Sequence, residues 1–289
     1  MLVDKPAAMT SHDVVQRVRR VLGARGAGHT GTLDPFATGL LVVLLGRATR
    51  LARFVETQSK TYLATTRLGI RTDTDDLTGR VVETSDSAAR LSREEVAASL
   101  AGFLGAQQQR PPQYSAKHVG GERSYAKARR GELVELPDVS VTVLRIEVVE
   151  FQAPLLTFRA DVSAGTYIRA LARDLGERLG VGAHLTGLRR EGIGSLRVED
   201  SVPLDQLSPA AVIPARRVLG DLPTVELDPT ARRAVVHGRA VEDSGAGALW
   251  EGGKRASGTV VALLGAGELV AVARAEDGWL RPTVVLEEP

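Results

Sequence analysis

The chain has 289 residues, a hydrophobic fraction of 43% and a formal net charge of +2, so it can bury the core of one large domain or two. It contains no cysteine, which excludes disulfides and thiolate metal sites and favours a cytoplasmic location. No apolar run approaches the ~18 residues of a membrane span, and the short N-terminal apolar stretch does not resemble a signal peptide, so no membrane association is expected.

The first third of the chain predicts helices alternating with strands. Ser11 is a candidate N-cap for a helix with valines on one face, and Gly23 is placed to end it. The apolar run 40–45 predicts a buried strand. A second helix is predicted over 48–56, and a strand is predicted over 61–68.

The middle of the chain contains a helix and a pair of long strands. Ser92 and Glu95 match a capping box, which predicts a helix that extends to Leu104. Runs of β-branched residues predict two paired strands, over 139–149 and 155–162.

The last third begins with a helix predicted over 166–179, and the composition changes near 220–223. Residues 222–289 carry seven Lys or Arg and ten Asp or Glu, and short strands are predicted at 260–264, 269–273 and 284–286. The irregular order of helices and strands before this point favours an α/β (α+β) domain with a mixed sheet over 1–221. A small β-rich domain is expected over 222–289.

The most informative motif is Gly28-His29-Thr30-Gly31-Thr32-Leu33-Asp34-Pro35, which places one carboxylate in a turn before a buried strand. Gly31 permits backbone angles that other residues resist, and Pro35 fixes its own φ. Functional groups often lie on such loops beside a rigid element. Asp also caps turns of this kind, so spacing alone leaves both interpretations of Asp34 open.

A basic segment at residues 110–131 is a candidate RNA-binding insertion. Between 110 and 130, Glu122 is the single acid among six cations: Arg110, Lys117, Arg123, Lys127, Arg129 and Arg130. Tyr114 and Tyr125 lie among them. Basic side chains neutralise phosphates and aromatic rings stack on bases, although a solvated basic helix face would have the same composition.

The motif around Asp34 resembles the signature of the bacterial tRNA pseudouridine-55 synthases, the TruB family. Five further motifs match that family in order over about residues 1–200. They are VDKP with MTSHDVV from Val3, KTY with RTDTDD from Lys60, PPQYSA with ARRG from Pro111, GTYIR from Gly165, and GAH with LRR from Gly182. The family has a lysine two places after the Ser-Ala pair, whereas here Lys117 follows directly and His118 comes next.

This resemblance implies a pseudouridine synthase catalytic domain over 1–221 and a PUA-like domain over 222–289. It implies conversion of uridine 55 in the TΨC loop of tRNA to pseudouridine, with tRNA as the partner of a monomeric enzyme. Because the reaction involves no redox change, and the sequence lacks dinucleotide, P-loop and histidine-pair motifs, no cofactor and no metal are expected.

By resemblance, the catalytic residues are Asp34, Tyr62, Arg169 and Asp76. Asp34 is the nucleophile, and attack at the sugar C1′ or the base C6 both remain open. Arg169 is expected to hold the pKa of Asp34 down, and Asp76 to complete the ion-pair network. Tyr62 would stack on the flipped uracil and accept the proton from C5.

The remaining residues of the implied site bind the substrate. His29 would fill the space that the flipped base leaves, while Tyr167 and Leu188 would form the pocket wall. Taken singly, these tyrosines could be half-buried core residues and His29 could cap a turn. Two other functions stay open: a non-catalytic RNA-binding chaperone of the same fold, and a related synthase acting on another RNA.

Overall fold

The structure, a computed structural model, describes residues 1–113, 118–119, 122–123, 136–243 and 255–288. Within these residues it contains a ten-stranded mixed sheet and a second, five-stranded sheet formed by the C-terminal part of the chain. The predicted mixed α/β class with a β-rich C-terminal sheet is confirmed. The α-helices are α1 (Ser11–Leu22), α2 (Ala52–Glu56), α3 (Arg93–Ala101), α4 (Ile168–Arg178) and α5 (Pro229–Val236).

Strands dominate both parts of the molecule. They are β1 (Leu2–Lys5), β2 (Ala27–His29), β3 (Thr38–Leu45), β4 (Lys60–Leu68), β5 (Ile70–Thr72), β6 (Val81–Thr84), β7 (Gly105–Gln109), β8 (His118–Val119), β9 (Glu122–Arg123), β10 (Val139–Gln152), β11 (Leu155–Val162), β12 (Ala183–Ile193), β13 (Leu196–Arg197), β14 (Val202–Pro203), β15 (Thr224–Glu226), β16 (Val241–Glu242), β17 (Val260–Gly265), β18 (Glu268–Glu276) and β19 (Trp279–Val285). The predicted pairing of the long strands β10 and β11 is confirmed, with antiparallel register.

The large sheet has the order β14-β1-β3-β12-β4-β11-β10-β7, with β2 beside β3 and β13 beside β12. Strands β3 and β12 run parallel and meet at only two register pairs, one of which joins Gly39 to Arg190. Gly39 has φ +101°, and a Cβ there would lie 2.3 Å from the Arg190 carbonyl oxygen. Glycine is therefore required, and its close approach brings the loop between β2 and β3 against β12.

The N-cap of helix α1 lies one residue earlier in the chain than predicted. Thr10, not Ser11, is the N-cap and forms a capping box with Asp13. Ser11 is buried instead, and its hydroxyl accepts a hydrogen bond from the Leu33 N–H at 2.9 Å and donates to the Leu33 carbonyl at 3.3 Å. The start of α1 is thus tied to the loop that carries the Asp34 motif. Gly23 ends the helix as predicted, in the left-handed conformation.

Other predicted boundaries are wrong by a few residues. Helix α3 ends at Ala101 rather than Leu104, because Gly102 caps it, and Leu104 is exposed. The helix predicted over 48–56 is a 3₁₀ helix over Gly46–Leu51 followed by the short α2. In the C-terminal part, α5 was not predicted, although Asp228 caps it and Pro229 opens it.

The strand β3 is buried on both faces and joins the two sheets of the molecule. Leu40, Val42 and Leu44 pack in one apolar cluster with Ala262, Val272 and Val284 of the C-terminal sheet. The alternate residues Leu41 and Val43 pack against α1. This double burial explains the unbroken apolar run in the sequence, and it makes the C-terminal sheet part of the packing of the large sheet.

We therefore expect the two sheets to unfold together. Val272→Asp buries an unpaired carboxylate in the shared cluster and should lower the free energy of unfolding by about 3 kcal/mol or more. Denaturation would be followed by tryptophan fluorescence, since Trp250 and Trp279 both lie beyond residue 221, and by amide hydrogen exchange in β3. Glu268→Gln, at an exposed position on the same strand, serves as the control. Separate transitions for the two probes would contradict this prediction.

Candidate active site

A cavity of about 300 Å³ opens between the β2–β3 loop, the start of α4 and the adjoining strands β4 and β12. Its lining includes five of the residues singled out in the sequence: Asp34, Tyr62, Tyr167, Arg169 and Leu188. These residues come from four separate elements of the chain. The fold thus brings a carboxylate, a guanidinium and two aromatic side chains to one small cleft.

Arg169 lies at the centre of this cleft and joins two carboxylates. Its Nε is 3.0 Å from Oδ2 of Asp34 and its Nη2 donates to Oδ1 at 3.2 Å, so the pairing is two-pronged. Its Nη1 is 3.4 Å from Oδ2 of Asp76 and donates to the Thr74 carbonyl at 3.1 Å. The Arg169 side chain is 7% exposed and that of Asp34 is 32% exposed. The buried Arg169 side chain therefore orients the partly exposed carboxylate of Asp34.

Asp76 is the hidden member of this network and does not line the cavity. Its side chain is 6% exposed, and its Oδ1 accepts hydrogen bonds from the Thr74 hydroxyl, the Thr78 hydroxyl and the Thr78 N–H at 2.6–2.9 Å. These bonds satisfy the buried carboxylate and fix the oxygen that faces Arg169. Asp76 thus acts on the cavity through Arg169.

A second ion pair lies one helical turn away, and the sequence analysis missed it. Arg173 follows Arg169 by four residues on α4, and its Nη1 is 3.2 Å from Oδ2 of Asp75. Asp75 has φ +60°, an uncommon value that lets two consecutive acids face two arginines on the same helix. The signal was present in the sequence as an Asp-Asp doublet and two arginines spaced four apart.

Burial sets the direction of the pKa shifts of Asp34 and Asp75. Burial raises the pKa of Asp34 above its ordinary value, whereas the Arg169 guanidinium and Lys5 oppose this rise and Asp76 adds to it. The expectation that a cation holds this pKa low is therefore wrong for the net shift, because desolvation outweighs the ion pair. Burial likewise raises the pKa of Asp75 to about 6, against the opposing effect of Arg173.

Three buried cations hold the backbone of the Asp34 loop and its surroundings. Lys5 Nζ donates to the carbonyls of Met9 and Pro35, and Arg190 donates to those of Gly31 and Leu40. Lys60, which lines the cavity, donates to the carbonyls of residues 56 and 58. Burial lowers the pKa of both lysines to about 8. None of the three was predicted as a site residue, although all three fall inside recognised motifs.

The apolar part of the cavity comes from two adjacent strands and the residue before α4. Tyr62 on β4 is mostly buried and belongs to the main core cluster, and Leu188 on β12 packs against the same cluster. Tyr167 is half-buried at the N-cap of α4. His29 ends β2 opposite Val43 of β3 and is not among the residues that line the cavity.

Among the six cations of the basic segment, the structure describes the side chain of Arg110 alone. It is 77% exposed and lies 3.7 Å from Asp138. Lys117, Lys127, Arg129 and Arg130 lie outside the described residues, and Arg123 is described by its backbone as part of β9. A larger cavity of about 660 Å³ next to Arg110 has lining side chains of both charges, among them Asp75, Asp138 and Arg173.

The described part of the chain offers neither a metal-binding cluster nor a membrane-spanning helix. Among those residues, no group of three or more His, Asp or Glu side chains is arranged to hold a metal ion. No helix found there is both long and apolar enough to cross a membrane.

Family models match most of the chain. Residues 19–168 match the model of the TruB family pseudouridylate synthase N-terminal domain, and residues 169–223 match that of the tRNA pseudouridylate synthase B C-terminal domain. The tRNA pseudouridine synthase B of Thermobifida fusca is 43% identical, and the alignment covers 99% of this chain and 97% of that protein. The protein of the same name from Burkholderia lata is 41% identical, with 98% and 88% covered.

Solved structures resemble the chain over nearly its full length. In the crystal structure of the archaeal box H/ACA sRNP Nop10–Cbf5 complex, the matching chain superposes with a TM-score of 0.73 at 27% identity, covering 99% of this chain and 85% of that one. A Cbf5–Nop10–Gar1 complex gives a TM-score of 0.73 at 29% identity, with 99% and 83% covered.

Arg169 opposes the effect of burial on the pKa of Asp34, and Arg173 is the main cation that opposes it at Asp75, where Arg169 contributes less. Because Arg169 opposes the effect of burial on Asp34, Arg169→Met should raise the pKa of Asp34 further. Arg173→Met removes the same charge one turn away and should raise the pKa of Asp75 instead. The measurement is a pH titration of the carboxyl ¹³C chemical shifts. An unchanged Asp34 titration in Arg169→Met would refute the assigned role of this ion pair.

Proposed function

We propose that this chain, which belongs to the TruB family of pseudouridylate synthases, converts uridine 55 in the TΨC loop of tRNA to pseudouridine. The family membership and the relatives named tRNA pseudouridine synthase B support the reaction and the class of RNA. The observation that carries the proposal is the cavity in which Arg169 holds Asp34 beside Tyr62.

The reaction is an isomerisation in which all atoms of the uridine are retained. The bond between C1′ and N1 breaks, a bond between C1′ and C5 forms, C5 loses a proton and N1 gains one. No electrons enter or leave, so the chemistry requires a nucleophile and a proton acceptor but no oxidant or reductant. A carboxylate can form and release the covalent adduct that links the two bond changes.

Asp34 is the proposed nucleophile because it is the carboxylate of the network that reaches the cavity. Arg169 binds both oxygens of the Asp34 carboxyl group and thereby fixes the orientation of that group. Asp76 is proposed to hold Arg169 in turn through Oδ2, since Thr74 and Thr78 donate to its other oxygen, Oδ1. This arrangement gives Asp34 a fixed direction of attack without a substrate present.

The walls of the cavity suit one flipped pyrimidine nucleotide. A volume of about 300 Å³ is at the lower end of small-ligand sites, and flipping exposes both faces of the base to contacts. We assign Tyr62 to stacking and to acceptance of the C5 proton, and Tyr167 and Leu188 to the wall. His29, which lies outside the cavity lining, is proposed to occupy the space that the base leaves in the RNA.

The basic segment is proposed to bind the tRNA, whereas the net negative charge of residues 222–289 argues against a strong role of that part in phosphate binding. The basic segment at 110–131 would contact phosphates through its net positive charge. Residues 1–221 would form the catalytic domain and 222–289 a PUA-like accessory domain, and the five-stranded sheet, whose first strand β15 begins at Thr224, supports that division. A single copy in the cytoplasm is proposed to act alone, since every residue of the proposed site belongs to one chain.

The central test is the conversion of Asp34 to asparagine. Asp34→Asn keeps the shape of the side chain but removes the nucleophile, so turnover should fall by about 10³-fold or more while tRNA binding persists. Pseudouridine would be mapped by mass spectrometry on an unmodified tRNA transcript without added cofactor, and a transcript with cytidine at position 55 is the control. Turnover within about tenfold of the wild type would refute the nucleophile. Pseudouridine at another position only would refute the specificity.

The basic segment is tested through the salt dependence of tRNA affinity. Its phosphate contacts should release counterions, so each lost contact should flatten the log–log slope by about 0.7 to 0.9. The variant replaces four cations by alanine: Arg123, Lys127, Arg129 and Arg130. A matched variant removes four exposed arginines of the C-terminal part and should leave the slope unchanged: Arg233, Arg239, Arg274 and Arg281. An unchanged slope in the first variant would show that the RNA binds elsewhere.

A further inference from the structure

We infer that Gln109 is a positioning residue for the isomerisation, because its side-chain amide fixes the peptide of Tyr167 at the start of the helix that carries Arg169. This inference rests on the proposed function. Gln109 lies on strand β7, far in sequence from every motif residue of the cavity, and it does not line the cavity itself.

The contact is a pair of hydrogen bonds between one side chain and one backbone unit. Oε1 of Gln109 accepts from the Tyr167 N–H at 2.8 Å, and Nε2 donates to the Tyr167 carbonyl at 3.1 Å. Gln109 is 2% exposed, so water does not compete for these bonds. The amide thus forms the two hydrogen bonds that the backbone of a neighbouring strand would form with Tyr167. These bonds fix the peptide planes on both sides of Tyr167.

Helix α4 depends on this contact because its N-cap residue does not cap it. Tyr167 occupies the N-cap position, and its side chain makes no capping hydrogen bond, whereas Ser, Thr, Asp or Asn would normally supply one. The Tyr167 carbonyl also accepts the first helical hydrogen bond, from Leu171 at 3.2 Å. Gln109, which lies on strand β7 and not in the helix, therefore fixes the position of the residue at which α4 begins.

The position of that point decides the geometry of the cavity. The Tyr167 side chain lines the cavity, and Arg169 follows two residues later. The pairing of Arg169 with Asp34 relies on two contacts of 3.0 and 3.2 Å, which a shift of about 1 Å at the helix start would break. Loss of the Gln109 bonds should thus affect the reaction more than the binding of tRNA.

The neighbouring glutamines provide an internal comparison. Gln107 donates to the Phe103 carbonyl at 3.0 Å, and the exposed Gln108 donates to the Ser140 hydroxyl at 2.8 Å. Neither of these bonds reaches α4. Three identical side chains in a row thus have different partners, and the bond to Tyr167 belongs to the third.

The test compares Gln109→Met with Gln108→Met in the full-length enzyme. Gln109→Met should lower the single-turnover rate of pseudouridine formation by about 10- to 100-fold, while the Kd for tRNA changes less than about threefold. The acid limb of its rate–pH profile should move to higher pH, since a displaced Arg169 no longer opposes the rise in the pKa of Asp34. Gln108→Met should match the wild type in all three measurements.

A second variant covers the case in which Gln109→Met does not fold. Gln109→Glu keeps the size and still accepts from the Tyr167 N–H, but its carboxylate cannot donate to the Tyr167 carbonyl. Its rate relative to the wild type should be low at neutral pH and recover as the pH falls and the carboxyl group gains a proton. A wild-type rate and pH profile in either variant would overturn the inference. Absence of pseudouridine with the wild-type enzyme would instead overturn the proposed function.

Discussion

A single buried guanidinium connects the parts of this structure on which the cavity depends. Arg169 contacts Asp34 on the β2–β3 loop and Asp76 on the loop after β5, and it is itself carried by α4. Burying two carboxylates costs free energy unless a cation and further hydrogen bonds compensate them, and here all three groups are compensated together. Removal of any one group leaves the others buried without full compensation. The loops and the helix are therefore held in one relative arrangement by electrostatics as well as by packing.

The sheet provides the rigid frame for this ion-pair network. Strand β3 is buried on both faces, and Gly39 lets it approach β12 so closely that Arg190 can bind the Gly31 carbonyl in the Asp34 loop. Lys5 binds the Pro35 carbonyl on the other side of Asp34. The loop is thus fixed by buried cations that bind its backbone, which leaves its one carboxylate free to point toward the cavity. Rigid support of this kind reduces the reorganisation that a reaction needs.

The sequence predicted the parts of the site that are local and left out those that depend on contacts between distant segments. The turn around Asp34, the strand of Tyr62 and the buried face of α4 followed from motif and periodicity, because each is encoded within about ten residues. The pairing of Asp75 with Arg173 and the contact of Gln109 with Tyr167 join residues 98 and 58 positions apart, so no local pattern specifies them. Helix ends such as those at Thr10 and Ala101 were misplaced because single capping contacts decide them.

The raised pKa of Asp34 follows from the same network and bears on its chemistry. Complete neutralisation by Arg169 would lower the pKa of the carboxyl group and make the carboxylate a weaker nucleophile. Full burial without Arg169 would keep the group protonated at neutral pH, and a carboxylic acid cannot attack. In this structure desolvation raises the pKa while Arg169 and Lys5 oppose the rise. Arg169 therefore limits how far burial raises the pKa of the carboxyl group that we propose as the nucleophile. On that proposal, a base entering the cavity would remove further water from Asp34, and the opposing effect of Arg169 would then be largest, because electrostatic interactions strengthen as the local dielectric constant falls.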